Sequence, residues 1–139
     1  VVLHAGVREA LADALAAGFH LFLFTNQSGV GRGMYTMEDV EACNGRMLEL
    51  LDLPPPGFTE ICIAPESPDE KPAYRKPSPR FIGEMITRHD LDPARCWMIG
   101  DSEVDVRAAA NAGIHPVRVD GDTGLAEAVR ETIRRESNM

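Results

Sequence analysis

Three short segments of the sequence carry side chains that suit a phosphate group and a divalent cation. The first segment follows the apolar run 19–24 and consists of Thr25, Asn26, Gln27 and Ser28. A hydroxyl and the backbone amides at the end of a strand can hold phosphoryl oxygens by neutral hydrogen bonds. A strand-end threonine can also simply satisfy its own turn. Phosphate binding is favoured here because a basic and an acidic segment follow further along the chain.

The second segment is basic and surrounds Lys76, within the stretch Tyr74-Arg75-Lys76-Pro77-Ser78-Pro79. The ammonium group of a lysine is a compact charge that can neutralise phosphate oxygens as charge builds up in the transition state. The stretch 77–79 begins a helix and so fixes the direction of the backbone at Lys76. Arg75 is a candidate for substrate recognition, although an exposed loop arginine is almost as good an interpretation.

The third segment supplies two carboxylates, Asp101 and Asp105, after the apolar run 96–99. One turn of a starting helix would bring both carboxylates to one side of that helix. Magnesium takes oxygen ligands and keeps several waters, so one direct carboxylate is enough if the other orients waters or Lys76. Both residues are predicted to belong to a metal site. Helix capping by Asp101, with Glu103 in the first turn, is the alternative.

Apolar runs and amphipathic stretches alternate along the chain and position these segments. The runs predict strands at 19–24, 61–64, 96–99 and 115–119, and helical spacing predicts helices that begin at 6, 36, 78, 104 and 125. This alternation predicts an α/β fold: a three-layer, Rossmann-like parallel sheet with helices on both faces. Ligands bind outside the carboxyl ends of such strands, so we expect the three segments to converge on one site.

The length and composition predict one globular domain over residues 1–139, and the short connections leave no room for a large cap domain. Fourteen basic against 22 acidic residues give a formal charge of -8, which disfavours a nucleic-acid partner. No apolar run reaches the roughly 20 residues that cross a membrane. Three cysteines without paired spacing favour a reducing compartment, so a cytoplasmic protein is predicted. The oligomeric state is left open.

In this order, the three segments resemble motifs of the haloacid dehalogenase (HAD) superfamily of phosphohydrolases. They are similar to the second, third and fourth motifs of the branch that contains histidinol-phosphate and D-glycero-D-manno-heptose-bisphosphate phosphatases. The match runs from about Val7 to Val119. The resemblance implies a HAD core and a magnesium-dependent phosphomonoesterase that forms an aspartyl-phosphate. Its substrate would be a small phosphorylated metabolite, such as a sugar phosphate, heptose bisphosphate or histidinol phosphate.

The resemblance also implies roles for individual residues. Thr25 and Lys76 would be catalytic, because they stabilise the transferring phosphoryl group. The substrate-binding set would be Thr25, Asn26, Gln27, Ser28, Arg75 and Lys76. Asp101 would help to hold Mg²⁺, with Asp105 as the second residue of the metal site.

The chain departs from the family at the first motif, a pair of aspartates two residues apart on the opening strand. The only acidic residues before Thr25 are Glu9 and Asp13, and both fall within a helical pattern. The sequence therefore predicts an N-terminally incomplete HAD-like domain that lacks its first strand and nucleophile and is inactive alone. Heptose-bisphosphate phosphatases commonly carry a zinc loop of cysteines and histidines between the third strand and the Arg-Lys-Pro segment, but residues 64–67 and 72–74 occupy the corresponding places here and include neither type.

Two other functions stay open at this point. A catalytically inactive phosphate-binding domain could keep the pocket without the nucleophile. A polynucleotide 3′-phosphatase has similar Thr-Asn-Gln and Arg-Lys-Pro segments, although the acidic composition of this chain counts against it.

Overall fold

The computed structural model describes residues 6–26, 37–64, 74, 76–119 and 124–137. The chain divides into two compact units, Val1–Arg75 and Lys76–Met139. Each unit contains one pair of parallel strands together with helices. The predicted alternation of strands and helices is therefore present in both units.

The first unit contains helix α1 (Val7–Ala16), strand β1 (Leu21–Asn26), helix α2 (Met37–Leu51) and strand β2 (Phe58–Ala64). The two strands are parallel, and the pair ends with Thr25 opposite Ile63 and Asn26 opposite Ala64. Strand β1 begins two residues after the start of the predicted run 19–24, and it includes the polar residues Thr25 and Asn26 at its end. Strand β2 begins three residues before the predicted run, at Phe58.

Helix α1 is tied to the end of α2 by an arginine. The Arg8 guanidinium donates hydrogen bonds to the backbone carbonyls of Leu51, at 2.8 Å, and Asp52, at 3.4 Å. The last carbonyls of a helix lack partners within the helix, so these donors satisfy groups that would otherwise need water. Leu51 is itself buried, which places this contact at the edge of the core of the first unit.

The second unit contains helix α3 (Arg80–Arg88), strand β3 (Trp97–Gly100), helix α4 (Glu103–Ala112), strand β4 (His115–Arg118) and helix α5 (Leu125–Ser137). A 3₁₀ turn at Pro93–Arg95 precedes β3. Strands β3 and β4 are parallel, with Trp97 opposite His115 and Gly100 opposite Arg118. Helix α4 connects the two strands and packs on both, α5 packs on β3, and α3 packs on α4.

Small side chains allow close packing in the core of the second unit. Ala108 and Ala109 of α4 are fully buried, and α3 contributes Phe81, Ile82 and Met85. These three apolar residues form the buried face of α3. Gly113 ends α4 with a φ of 77°, in the left-handed region where glycine is favoured.

A cluster of polar contacts holds the C-terminal helix against the start of β3. The Glu136 carboxylate accepts hydrogen bonds from Trp97 Nε1, at 2.9 Å, and Arg95 Nε, at 2.5 Å. The His115 ring stacks on Trp97 with 4.4 Å between ring centroids. The hydrogen bond from Arg95 lowers the pKa of Glu136 below its usual range. We call Arg95, Trp97 and Glu136 the α5 clamp.

Within the described residues, no helix combines the length and the apolar character needed to span a lipid bilayer.

Candidate active site

Lys76 and Asp105 form a largely buried ion pair in the second unit. The Lys76 Nζ atom lies 2.6 Å from Asp105 Oδ1, and the two side chains are only 11% and 8% exposed. Lys76 precedes α3, whereas Asp105 lies in the first turn of α4. The structure thus brings together two of the predicted site residues, from segments 29 positions apart. At this distance the carboxylate fixes the position of the ammonium group.

The second carboxylate oxygen of Asp105 is also occupied. Asp105 Oδ2 accepts from the Ser102 backbone N–H at 3.2 Å and from the Ser102 hydroxyl at 3.0 Å. Ser102 is the N-cap of α4 and Asp105 its third residue, so this is a capping-box arrangement. Direct metal binding by Asp105 stays a prediction. The contacts favour the alternative role, in which Asp105 orients Lys76.

A glycine at the end of β3 makes room for the Asp105 side chain. A Cβ atom added at Gly100 would lie closer to the Asp105 carboxylate than real Cβ atoms approach other atoms. The side chain of Asp105 therefore passes directly over Gly100. This explains physically why a glycine stands before Asp101 in the acidic segment.

Asp101 follows β3 directly, and its side chain is exposed. The idea that Asp101 caps α4 is wrong, because Ser102 has the extended backbone and the position of the N-cap. Among the described residues no hydrogen bond or ion pair engages the Asp101 carboxylate. An available carboxylate after a strand fits one direct ligand of a hard cation. The described part of the chain contains no group of three or more acidic, histidine or cysteine residues that could hold a metal.

Asn111, in the last turn of α4, makes a contact that the sequence did not predict. Its Nδ2 atom donates a hydrogen bond of 3.0 Å to the Pro77 carbonyl, one residue beyond Lys76. Asn111 carries no periodicity or motif signal in a single sequence. Only the packing of the Lys76 segment beside α4 gives it this role.

The remaining predicted site residues fall in the first unit or outside the described residues. Thr25 and Asn26 are the last two residues of β1, at the carboxyl end of the strand. Gln27, Ser28 and Arg75 lie outside the described residues, so their predicted roles stay predictions.

The two acidic residues that precede Thr25 lie in a helix, as their sequence pattern predicted. Glu9 and Asp13 both lie on α1, and both are exposed. Neither belongs to a strand. The predicted helical pattern around Glu9 and Asp13 is therefore confirmed.

The thiol of Cys96 is partly buried and hydrogen-bonded to the backbone. It donates to the Asp92 carbonyl at 3.2 Å, just before β3 begins. Burial is the main cause that raises the pKa of this thiol above its usual value. A protonated thiol is a poor nucleophile at neutral pH.

Comparison with known proteins identifies the family. Residues 73–137 match the model of the HAD-hydrolase-like family. Over 124 residues the chain is 36% identical to the D-glycero-beta-D-manno-heptose-1,7-bisphosphate 7-phosphatase of Rhodopseudomonas palustris, covering 84% of this chain and 69% of that protein. The chain belongs to the haloacid dehalogenase superfamily. The enzyme of the same name from Pseudomonas putida is 32% identical over 130 residues, which cover 91% of this chain and 74% of that enzyme.

A solved structure supports the same HAD fold. The D,D-heptose 1.7-bisphosphate phosphatase from B. bronchiseptica, crystallised with magnesium and phosphate, superposes with a TM-score of 0.78 at 32% identity. The superposition covers 95% of this chain and 71% of that enzyme. The predicted fold class, a Rossmann-like α/β core of the HAD type, is thus confirmed, as is the resemblance inferred from the three motifs.

Proposed function

We propose that this HAD chain carries most of the site of a magnesium-dependent phosphomonoesterase that acts on a small phosphorylated metabolite. The observation that carries the proposal is the largely buried ion pair of Lys76 with Asp105, together with the exposed carboxylate of Asp101 directly after β3. Sugar phosphates are the favoured substrate class, with heptose bisphosphate first because the reported relatives act on it. Histidinol phosphate is the other candidate. The cytoplasm is the proposed location.

In this proposal each residue performs one task during phosphoryl transfer. Lys76 holds a positive charge on a phosphoryl oxygen, where negative charge grows in the transition state. Thr25 donates its hydroxyl to another phosphoryl oxygen, and Asn26, Gln27 and Ser28 complete the substrate-binding segment. Arg75 recognises a more distant part of the substrate.

Asp105 acts through Lys76, because both of its oxygens are already engaged. Asp101 would be a direct ligand of Mg²⁺, which supplies charge neutralisation at the phosphate when bound. The attacking group would be an aspartate on a strand that precedes Gly6. It would form a bond to phosphorus as the bond to the leaving oxygen breaks, and water would then release inorganic phosphate.

A phosphate-binding domain without catalysis is the second candidate. It is supported by one observation: the acidic residues before Thr25, Glu9 and Asp13, are exposed on α1. The 139-residue chain is accordingly proposed to be inactive by itself. Binding of inorganic phosphate without turnover would fit both candidates for the isolated chain, so an extended protein is needed to separate them.

The test measures hydrolysis of p-nitrophenyl phosphate with magnesium. We expect no turnover above background from the 139-residue chain. A version in which a strand with an Asp-x-Asp pair precedes Gly6 should turn over. In that version Lys76→Ala should lower kcat more than Arg75→Ala, which should mainly raise KM.

Two results would overturn the proposal. The first is turnover by the 139-residue chain that Asp101→Asn abolishes, because another carboxylate would then be the nucleophile. The second is an extended protein that binds phosphate but never hydrolyses a monoester, which would favour the binding domain.

A further inference from the structure

Asn111 connects α4 to the segment that carries Lys76. Its side-chain amide donates to the Pro77 carbonyl at 3.0 Å, next to the peptide that joins Lys76 and Pro77. Asp105, on the same helix, holds the Lys76 ammonium at 2.6 Å. We propose that Asn111 is a positioning residue for Lys76: it fixes the backbone beside the lysine, while Asp105 fixes its charged end.

The need for two attachments follows from the flexibility of a lysine. Its four-carbon stem has many rotamers, so a contact at the ammonium alone leaves the backbone and stem free to shift together. Fixing both ends restricts the ammonium to one position. Because reacting groups must be held close to their productive geometry, a small displacement of this charge would weaken its hold on a phosphoryl oxygen.

Helix α4 is a suitable base for both attachments. Its inner face is anchored by Ala108 and Ala109, which are completely buried. Asp105 stands in its first turn and Asn111 in its last, so one packed helix holds both points of the Lys76 segment. Because α4 is firmly packed in the core, its two contacts hold the Lys76 segment in a fixed position.

A purely structural role for Asn111 is the ordinary alternative. The residue is exposed, so it does not contribute to the packed core. Asparagine is also a poorer helix former than alanine, so Asn111→Ala should not weaken α4 itself. A loss of order at Lys76 in that variant would therefore come from the missing hydrogen bond to Pro77.

The chain offers an unusually direct readout. Lysine occurs only at positions 71 and 76, so a nitrogen NMR spectrum of the lysine ammonium groups contains two signals at most. A Lys71→Arg variant assigns the signal of Lys76. In the 139-residue chain, Asn111→Ala should shift the Lys76 signal and speed the exchange of its ammonium protons with water. Asn111→Leu has a similar volume, no N–H donor and no added charge, and should behave like the alanine variant.

The matched control is Arg107→Ala, an exposed position one turn earlier on α4 that should leave the Lys76 signal unchanged. An unchanged Lys76 signal in both Asn111 variants overturns the positioning role, as does an equal shift in the control. Urea unfolding of each variant confirms that the helix is intact.

The effect of Asn111 on phosphate binding rests on the proposed function, whereas the NMR test of the Lys76 signal does not. With inorganic phosphate as the probe, Asn111→Ala should weaken binding about three- to tenfold, the effect expected from one hydrogen bond. Wild-type chain that binds no phosphate would count against the proposed function, while the Lys76 signal would still decide the role of Asn111. Phosphate affinity that is equal in wild type and Asn111→Ala would overturn the inference.

Discussion

The ion pair of Lys76 and Asp105 holds a positive charge in place for function, but burying the two charged groups lowers the free energy of unfolding. Removing two charges from water is expensive, and a buried pair often contributes no more than apolar residues of the same volume would. Asp105 offsets part of this cost because its other oxygen accepts from the N-cap residue Ser102. The geometry is therefore better explained by the need for a fixed ammonium group than by stability alone.

Removal of the Asp105 charge should be strongly destabilising. Asp105→Asn keeps the shape of the side chain but leaves the buried Lys76 ammonium without its carboxylate, so we expect a loss of about 3 kcal/mol in the free energy of unfolding. Glu103→Gln, at an exposed position in the same turn, should cost less than about 1 kcal/mol. Urea unfolding measures both values. Equal midpoints for the two variants would show that the ion pair contributes nothing.

Two glycines in the second unit should respond in opposite ways to the same substitution. Gly100→Ala places a methyl group where the Asp105 carboxylate lies and should destabilise by about 1–3 kcal/mol, as overpacking does. Gly83, within α3, has open space around its Cβ position, and Gly83→Ala should stabilise by roughly 0.5–1 kcal/mol. Thermal unfolding compares the two variants. A Gly100→Ala protein as stable as Gly83→Ala would contradict the position of Asp105.

At the scale of single elements, the sequence predicted the order of the strands and helices but not the buried face of helix α1. The fourfold spacing of Val7, Leu11 and Leu15 is typical of the apolar stripe of an amphipathic helix. Val7 is buried, but the other buried positions are Ala10 and Ala14. Small residues let a helix approach its neighbours closely, so they can face the core where a count of large apolar residues points elsewhere.

The same limit applies to the site. Lys76, Asp101 and Asp105 could be recognised as candidate site residues because each lies next to the end of a strand or the start of a helix that the sequence predicts. The capping box of Ser102 and Asp105 was not predicted, because helix capping was considered only for Asp101, although serine followed three residues later by an acidic residue is a recognised helix start. The contact of Asn111 could not be predicted, because it depends on how α3 and α4 pack.

The α5 clamp predicts a pH dependence of stability. Arg95 lowers the pKa of Glu136 in the folded protein, so the ionised carboxylate contributes stability above the pKa of the unfolded chain. This contribution is lost as the pH falls through the lower, folded-state pKa. Wild-type stability should therefore fall in acid below about pH 4.5, and part of that fall should be absent in Glu136→Gln.

Trp97 is the only tryptophan, so its fluorescence reports directly on the α5 clamp during urea unfolding. Glu127→Gln, at an exposed position in the first turn of α5, is the matched control and should follow the wild type. Identical acid profiles for wild type and Glu136→Gln would mean that the carboxylate does not stabilise the attachment of α5.

At the scale of the whole molecule, charge separates the proposed substrate class from a nucleic acid. The chain carries a formal charge of -8 at pH 7, with a pI near 4.9. A long phosphate backbone is bound mainly by clusters of basic residues that release counterions, and such binding weakens steeply with salt. A single phosphate group needs only one local pocket, which the charge of the rest of the molecule does not prevent.

The acidic charge of the chain predicts the outcome of a competition between substrates. The N-terminally extended protein should hydrolyse a sugar phosphate with a higher kcat/KM than a 3′-phosphorylated oligonucleotide, because the acidic surface repels the remaining backbone phosphates. Raising the salt concentration should screen that repulsion, so the rate on the oligonucleotide should rise while the rate on the sugar phosphate changes little. Faster hydrolysis of the oligonucleotide at low salt, with a steep loss as salt increases, would instead identify a polynucleotide phosphatase.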